Sequence, residues 1–405
     1  MHPITVILMI LIAVFALWLL RREGLLRGKL SVVVSVLLLA AAFYLRLSVM
    51  DHRTADYNWF LSVWVQHFRD HGGFAGLGVP IGNYNVMYLY FLAFFSYLPM
   101  PDLHLIKLLS ILFDVILAYY VMLTVGLFAE GDFRKKAAFF LALFLPTVFL
   151  NGAYWGQCDG IYTAFAVMSF YYVMRGRPVL GMVTLAVAMA FKLQVVFIFP
   201  LYLVFLVTKK IRLRHLPVFP LTYVLTILPA VFFGRPFMDT LLFYFTQASP
   251  DGRLLHYNAP SVFAAVAALR GTNYDPGLAR MGIVVTFLFV VLVYVLVFRR
   301  RKRGELGEAD FLVLALLFVV GVPFLLPQMH DRYFFMADVF AVILGLSRLR
   351  WLPAILLTQF ASLLGYHAYL VQYALVPHMY FGAIALLVLT AALLLAFPRR
   401  KHSVF

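Results

Sequence analysis

Long apolar runs punctuated by short basic loops constrain this chain more than any other feature. A helix needs roughly 20 apolar residues to cross a bilayer, where no water is present to satisfy its backbone. Such runs lie near Ile4–Leu20, Leu30–Ser48, His104–Phe128, Ala137–Leu150, Ile161–Met174 and Val179–Phe191. More follow near Val195–Val207, Leu216–Phe233, Met281–Phe298, Phe311–Leu326, Tyr333–Leu346, Trp351–Tyr369 and Phe381–Phe397. The shorter ones suit helices buried among neighbours. Of 405 residues, 64% are hydrophobic and 12% charged, too few charges to cover a soluble protein of this length. The pattern predicts an all-α polytopic integral membrane protein: one transmembrane domain over residues 1–405, with about thirteen crossings.

The formal net charge of +16 is divided among loops, which argues against a nucleic-acid partner and for the positive-inside pattern. The clusters are Arg21/Arg22/Arg27/Lys29, Arg134/Lys135/Lys136, Arg175/Arg177, Lys209/Lys210/Arg212/Arg214, Arg299 to Arg303, Arg348/Arg350 and Arg399/Arg400/Lys401. They hold most of the lysines and arginines and fall on alternate loops, which the rule makes cytoplasmic. Glu23, Glu130, Glu305 and Glu308 share those loops. The first run has no basic residue before it and two after it, so it reads as a retained helix with its amino end outside and not as a cleaved signal. The carboxyl end is then inside. The single cysteine, Cys158, excludes an internal disulfide and any cysteine-built metal site.

This alternation requires that Tyr84–Leu98, short and rich in Tyr and Phe, lie at the interface and not cross. Residues 49–103 then form one large outer loop with juxtamembrane helices at about Asp56–Asp70 and Val86–Tyr97. A second outer loop, 234–280, holds another helix at about Ser261–Arg270. Polar residues including His67, Arg69, Asp70, Arg253 and His256 gather in these outer segments. Ionisable groups at the end of an apolar bundle are costly unless they pair or serve a site.

Four segments concentrate the chemistry. In MDHRTADYNWF, Asp51 or Asp56 offers a carboxylate able to take a proton from an acceptor hydroxyl; alternatively Asp56 only caps a helix and Asp51 pairs with Arg53. In NGAYWGQCDG, Gln157 and Asp159 follow Trp155, whose ring suits sugar stacking; the plainer reading is an interfacial anchor with a capping Asp. In AFKLQVVF, Lys192 and Gln194 interrupt an apolar stretch at the far tip of a helical hairpin. A recessed lysine there needs an anion, either a protein carboxylate or a ligand phosphate, unless it snorkels to the surface. In PFLLPQMHDRYFF, Arg332 can grip phosphate bidentately beside His330 and Asp331, or Asp331 and Arg332 simply satisfy each other. Lys107 and Asp114 suit structural partners across the bundle, and His367 and His378 suit the interface. No HExxH, P-loop or Gly-x-Ser-x-Gly is present.

At these residues the chain resembles a known family. DYNWFLSVW, GNYNVMYLYF, IKLLSILFD, NGAYWGQCDGIYT, FKLQVVFIFPLYL and PQMHDRYFF, in this order, resemble bacterial membrane proteins similar to the second mannosyltransferase of GPI-anchor synthesis, within the GT-C glycosyltransferase superfamily. The likeness runs from about Met50 to Asp338. Family members often carry Glu where Asp331 stands and Ser where Gly160 stands. The resemblance implies a GT-C type fold in the bacterial inner membrane with an active site on the extracytoplasmic side. It implies a polyprenyl-phosphate-linked sugar donor, mannose or a similar hexose, and a glycan, lipid or protein acceptor. Asp56 then fits best as base and Asp51 second. Lys192, Arg332 and His330 bind the donor phosphate. Trp155, Gln157, Asp159, Tyr57, Tyr84, Asn85, Gln194 and Asp331 hold sugar or acceptor. No cofactor is required, although a divalent cation assists some members. A single displacement at the anomeric carbon inverts it and needs one base.

Two rivals share these features. A transporter or flippase of a lipid-linked saccharide also has many helices and recessed cations, but its polar residues are typically reachable from both sides; here they are one-sided. A structural or assembly subunit would use the outer polar groups as interfaces.

Overall fold

The computed structural model describes residues 2–246, 254–371 and 379–397. Arg253, His378 and the Arg399/Arg400/Lys401 cluster lie outside the described residues. The helices are α1 (Pro3–Arg22), α2 (Lys29–Ser48), α3 (Ser62–Asp70), α4 (Val86–Phe95), α5 (Asp102–Val125), α6 (Asp132–Phe144), α7 (Pro146–Phe149), α8 (Asp159–Met174), α9 (Pro178–Phe191) and α10 (Phe199–Val207). They continue with α11 (Val218–Phe232), α12 (Phe237–Leu241), α13 (Phe243–Thr246), α14 (Val262–Arg270), α15 (Pro276–Lys302), α16 (Glu308–Leu325), α17 (Phe335–Ser347), α18 (Leu352–Leu370) and α19 (Met379–Ala396). Local rules explain many ends. Proline opens α1, α7, α9 and α15, where its missing N–H costs nothing, and Arg299 to Lys302 close α15 at its negative dipole end.

Each apolar run falls on a helix. Seven stretches are long and apolar enough to cross a membrane: α1, α2, α5, Leu213–Phe232, α15, α16 and α19. Helix α6 and the segment Pro146–Trp155 form an eighth if their 46° bend lies within one span. The others are shorter or less apolar, so thirteen runs correspond to fewer self-sufficient spans among the described residues. The result is a polytopic membrane protein of GT-C type. One departure from all-α is a two-residue parallel ladder, β1 (His256–Tyr257) with β2 (Met329–His330).

The chain divides into two compact units. The first comprises Met1–Gly126, Glu130–Val195 and Arg214–Ala248. There α8 packs on α9 and α5, α5 on α6, and α9 on α11. A buried ion pair, Arg46 to Asp114 at 2.9 Å, ties α2 to α5, and Arg46 also donates to the Leu143 carbonyl of α6. The two short helices expected between α2 and α5 appear as α3, entered through a widened turn at Tyr57–Leu61, and α4. A 3-10 turn, Gly73–Gly78, separates them. Arg69 of α3 is fastened to Asp102 at the start of α5.

The second unit comprises Leu127–Ala129, Val196–Leu213 and Ser249–Phe405. Helix α17 packs between α16 and α18, and α18 on α19. Gly365 of α18 lies against the backbone of Asn258 and Asp331; a Cβ there would sit 2.8 Å and 2.9 Å from their carbonyl oxygens. The missing side chain lets the helix hold both loops.

Candidate active site

The segment NGAYWGQCDG is folded by its small residues. Helix α7 runs into a widened turn, Leu150–Trp155, that ends at Gly156 with φ +79°, a conformation that favours glycine. The chain then reverses so that the Gln157 amide donates to the Asn151 carbonyl at 2.9 Å, and α8 begins at Asp159. The Asn151 side chain holds that residue twice, donating to Oδ2 of Asp159 at 2.8 Å and accepting its backbone N–H at 3.2 Å. Lys192 is the C-cap of α9, in extended conformation. Since α8 and α9 pack together, its Nζ reaches Oδ1 of Asp159 at 2.5 Å. Of the two anions that a recessed Lys192 invited, the structure supplies the protein carboxylate.

Asp56 stands at the entry to the first juxtamembrane helix, but its side chain caps nothing. Its Oδ2 instead accepts Trp155 Nε1 at 2.9 Å and Gln157 Nε2 at 2.6 Å. The Gln157 amide carbonyl accepts the Tyr84 hydroxyl at 2.8 Å, and the Tyr84 ring lies 5.3 Å from Lys192 Nζ. One contact chain therefore joins Asp56, Gln157, Tyr84, Lys192, Asp159 and Asn151. Asp56 is only 7% exposed. A carboxyl group buried this far needs hydrogen bonds to offset its lost hydration, and the indole and amide donors supply them.

Several expectations change. The Trp155 ring is fully enclosed, at 0% exposure, so it presents no face for a sugar; its N–H holds Asp56. Asn85 is engaged at both ends, accepting the Val86 amide to cap α4 and donating to the Tyr223 hydroxyl, which makes it a structural tie. Asp51 does not pair with Arg53. It accepts from His104 at 2.8 Å, and His104 contacts the Thr5 hydroxyl at 2.9 Å through its other nitrogen. The hydrogen bond from His104 holds the Asp51 carboxyl below its ordinary value, while 66% of that side chain stays exposed. Arg53 lies over the ring of Tyr57 at 5.9 Å, and burial pushes the Tyr57 hydroxyl up. Lys107 donates to the Val49 and His52 carbonyls at 2.7 Å each, pinning the loop before Asp56, while Asp114 takes Arg46.

Gln194 follows Lys192 in a 3-10 turn, Leu193–Ile198, and its Oε1 is buried without a hydrogen-bond partner among the described residues. In the second unit, His330 stacks on Tyr257 with ring centres 4.6 Å apart. Arg332 Nη1 lies 3.4 Å from Asp331 Oδ1, so Asp331 and Arg332 do pair. Among the described residues no group of three or more His, Cys, Asp or Glu is placed to hold a metal. Sequence reasoning passed over Asn151, Arg46 and the pairing of His104 with Asp51. Asn151 lies in a motif already singled out; the others join residues 68 and 53 positions apart.

The described helices thus form a polytopic membrane protein that buries a hydrogen-bonded carboxylate, Asp56, and a Lys192–Asp159 ion pair. The chain belongs to Glycosyltransferase family 87, whose family model matches residues 83–327, more than half of its length. The matched stretch contains Tyr84, Asn85, Trp155, Gln157, Asp159, Lys192 and Gln194; Asp51, Asp56 and Tyr57 precede it and His330 to Arg332 follow. No curated protein matches the chain.

Proposed function

We propose that this glycosyltransferase moves a hexose, mannose or one like it, from a polyprenyl-phosphate carrier to an acceptor hydroxyl, with inversion and with Asp56 as general base. The reaction takes place on the outer face of a bacterial inner membrane, and the acceptor is a glycan, a lipid or a protein. The observation that carries this reading is the buried Asp56 carboxylate, fixed by Trp155 and Gln157 of the NGAYWGQCDG segment.

As the acceptor oxygen attacks the anomeric carbon, its proton passes to the Asp56 carboxylate. The bond to the phosphate oxygen breaks on the opposite face, and its electron pair leaves with polyprenyl phosphate. That group departs already ionised, so it needs positive charge nearby and not a proton. An ammonium has three N–H donors, and Lys192 is shown giving one to Asp159; the others suit phosphate. In the second unit, Arg332, paired with Asp331, and His330 carry donor groups of the kind that suits a phosphate. Tyr57, Tyr84 and Gln194 supply hydroxyl and amide groups for sugar or acceptor. Trp155 and Asn85 act through position, Trp155 by orienting the base and Asn85 by capping α4.

Purified protein given polyprenyl-phosphate mannose and candidate acceptors tests the reading. Free polyprenyl phosphate should appear together with a glycoside of inverted anomeric configuration by NMR. Movement of intact donor across vesicles without its consumption would point to a carrier instead.

A further inference from the structure

Among the described residues, Arg235 is a buried cation that no carboxylate meets. It follows α11 in the turn Gly234–Arg235–Pro236 and is 6% exposed. The other buried cations of the first unit are matched: Arg46 by Asp114, Lys192 by Asp159, Lys107 by two carbonyls. Arg235 makes no ion pair and no side-chain hydrogen bond among the described residues, and its Nη1 is sealed from solvent with no partner. Burial works against its charge, and the one nearby group acting on it is Tyr90. That hydroxyl is already committed, donating to the Thr226 carbonyl and accepting the Ala230 amide. Asp239, four residues on, is exposed. A guanidinium left in this state is disfavoured unless something supplies the missing charge.

The surroundings say what kind of anion fits. Phe232, Phe233, Phe237 and Met238 flank Arg235 in the chain and are 83%, 45%, 38% and 62% exposed. Aromatic and apolar side chains bared beside a recessed arginine at a helix end suit an amphiphile whose tail lies along them and whose charged head meets the guanidinium. Arginine presents a planar fork of donors that matches phosphate. The helix it terminates is also built against the site: Tyr223, Ile227 and Ala230 of α11 share a core with Val86, beside Asn85, and with Leu193, beside Lys192.

We infer that Arg235 binds the phosphate group of a lipid. Naming polyprenyl phosphate as that lipid rests on the proposed donor; a bilayer phospholipid carries the same chemistry. The full chain, in detergent and in nanodiscs, is compared with Arg235→Gln and Arg235→Lys using farnesyl phosphate, farnesol and phosphatidylglycerol as probes. For farnesyl phosphate, Arg235→Gln should weaken binding about tenfold or more, Arg235→Lys should recover part of it, and farnesol should not distinguish the three. The melting temperature of Arg235→Gln should hold or rise, because an unmatched buried charge is removed; a clear fall would mark a structural arginine and overturn the inference. Unchanged farnesyl phosphate binding with loss of retained phosphatidylglycerol by native mass spectrometry assigns the phosphate to the bilayer. Neither probe responding to Arg235→Gln refutes the inference. A wild-type protein that ignores farnesyl phosphate refutes the proposed donor, and the phosphatidylglycerol arm then decides Arg235 alone.

Discussion

The indole N–H of Trp155 donates to the carboxylate of Asp56 across 2.9 Å and 99 positions of sequence. One partner enters a juxtamembrane helix and the other ends a broken helix, so the hydrogen bond fixes the loop of residues 49–103 to the bundle at the point where acid–base chemistry is proposed. Gln157 adds a second donor to the same oxygen.

Trp155→Phe removes that donor while keeping most of the ring. The expected result is a folded protein whose kcat falls about tenfold, the scale of one lost hydrogen bond to a charged group, with a smaller change in KM. Steady-state kinetics on polyprenyl-phosphate mannose reads the split. A rise in KM with kcat intact would return Trp155 to a sugar-binding role.

Asp51 is the competing base, and the structure gives it different work. Its hydrogen bond with His104 joins the loop of residues 49–103 to α5, and most of its side chain is exposed. Asp51→Asn should therefore keep transfer within roughly threefold, since exposed pairs contribute little. Because the folded carboxyl is held below its ordinary value, the pair stabilises above the usual carboxylate range and is lost as pH falls through the folded value. The wild type should thus lose more melting temperature on acidification toward pH ~3 than Asp51→Asn does.

Lys192 and Asp159 form a buried pair, with side chains 7% and 1% exposed. Lys192→Met alone leaves an uncompensated carboxylate and should cost about 3–5 kcal/mol. The double variant Lys192→Met/Asp159→Asn should recover a large part of that stability without recovering activity. Thermal unfolding separates the two effects: additive losses in the double variant would mean that the residues do not interact.

His256 gives a second pH signature, in the other unit. Burial lowers its imidazole to about 4, below the ordinary value of roughly 6.5. Between those values the unfolded chain binds a proton that the folded chain refuses. Stability is full above about pH 6.5 and declines as pH falls toward 4. Melting temperatures measured across that window should drop less in His256→Gln than in the wild type.

Much of this architecture was legible because a bilayer leaves few choices. Apolar run length located the helices, and the aromatic, proline-bounded Tyr84–Leu98 stretch was rightly read as a short helix, α4. The residues of the candidate cluster were legible by type and less so by partner. Asp56, Gln157, Asp159 and Lys192 were singled out because charged and polar groups are expensive in apolar surroundings. Trp155 was assigned to a sugar because a sequence shows an aromatic ring without showing its burial. Arg46 and Arg235 escaped notice for a related reason, as one arginine near a helix end looks solvated until its neighbours are known. The β1–β2 ladder carries two residues per strand, too few for an alternating pattern.

Single-turnover kinetics of Asp56→Asn test the central claim most directly. With polyprenyl-phosphate mannose and acceptor both saturating, wild type and Asp51→Asn should release polyprenyl phosphate at comparable rates. Asp56→Asn, bound to donor and melting like the wild type, should release it 10²–10⁴-fold more slowly, the range of general-base catalysis. Release by Asp56→Asn at the wild-type rate would contradict the assignment of Asp56 as the base.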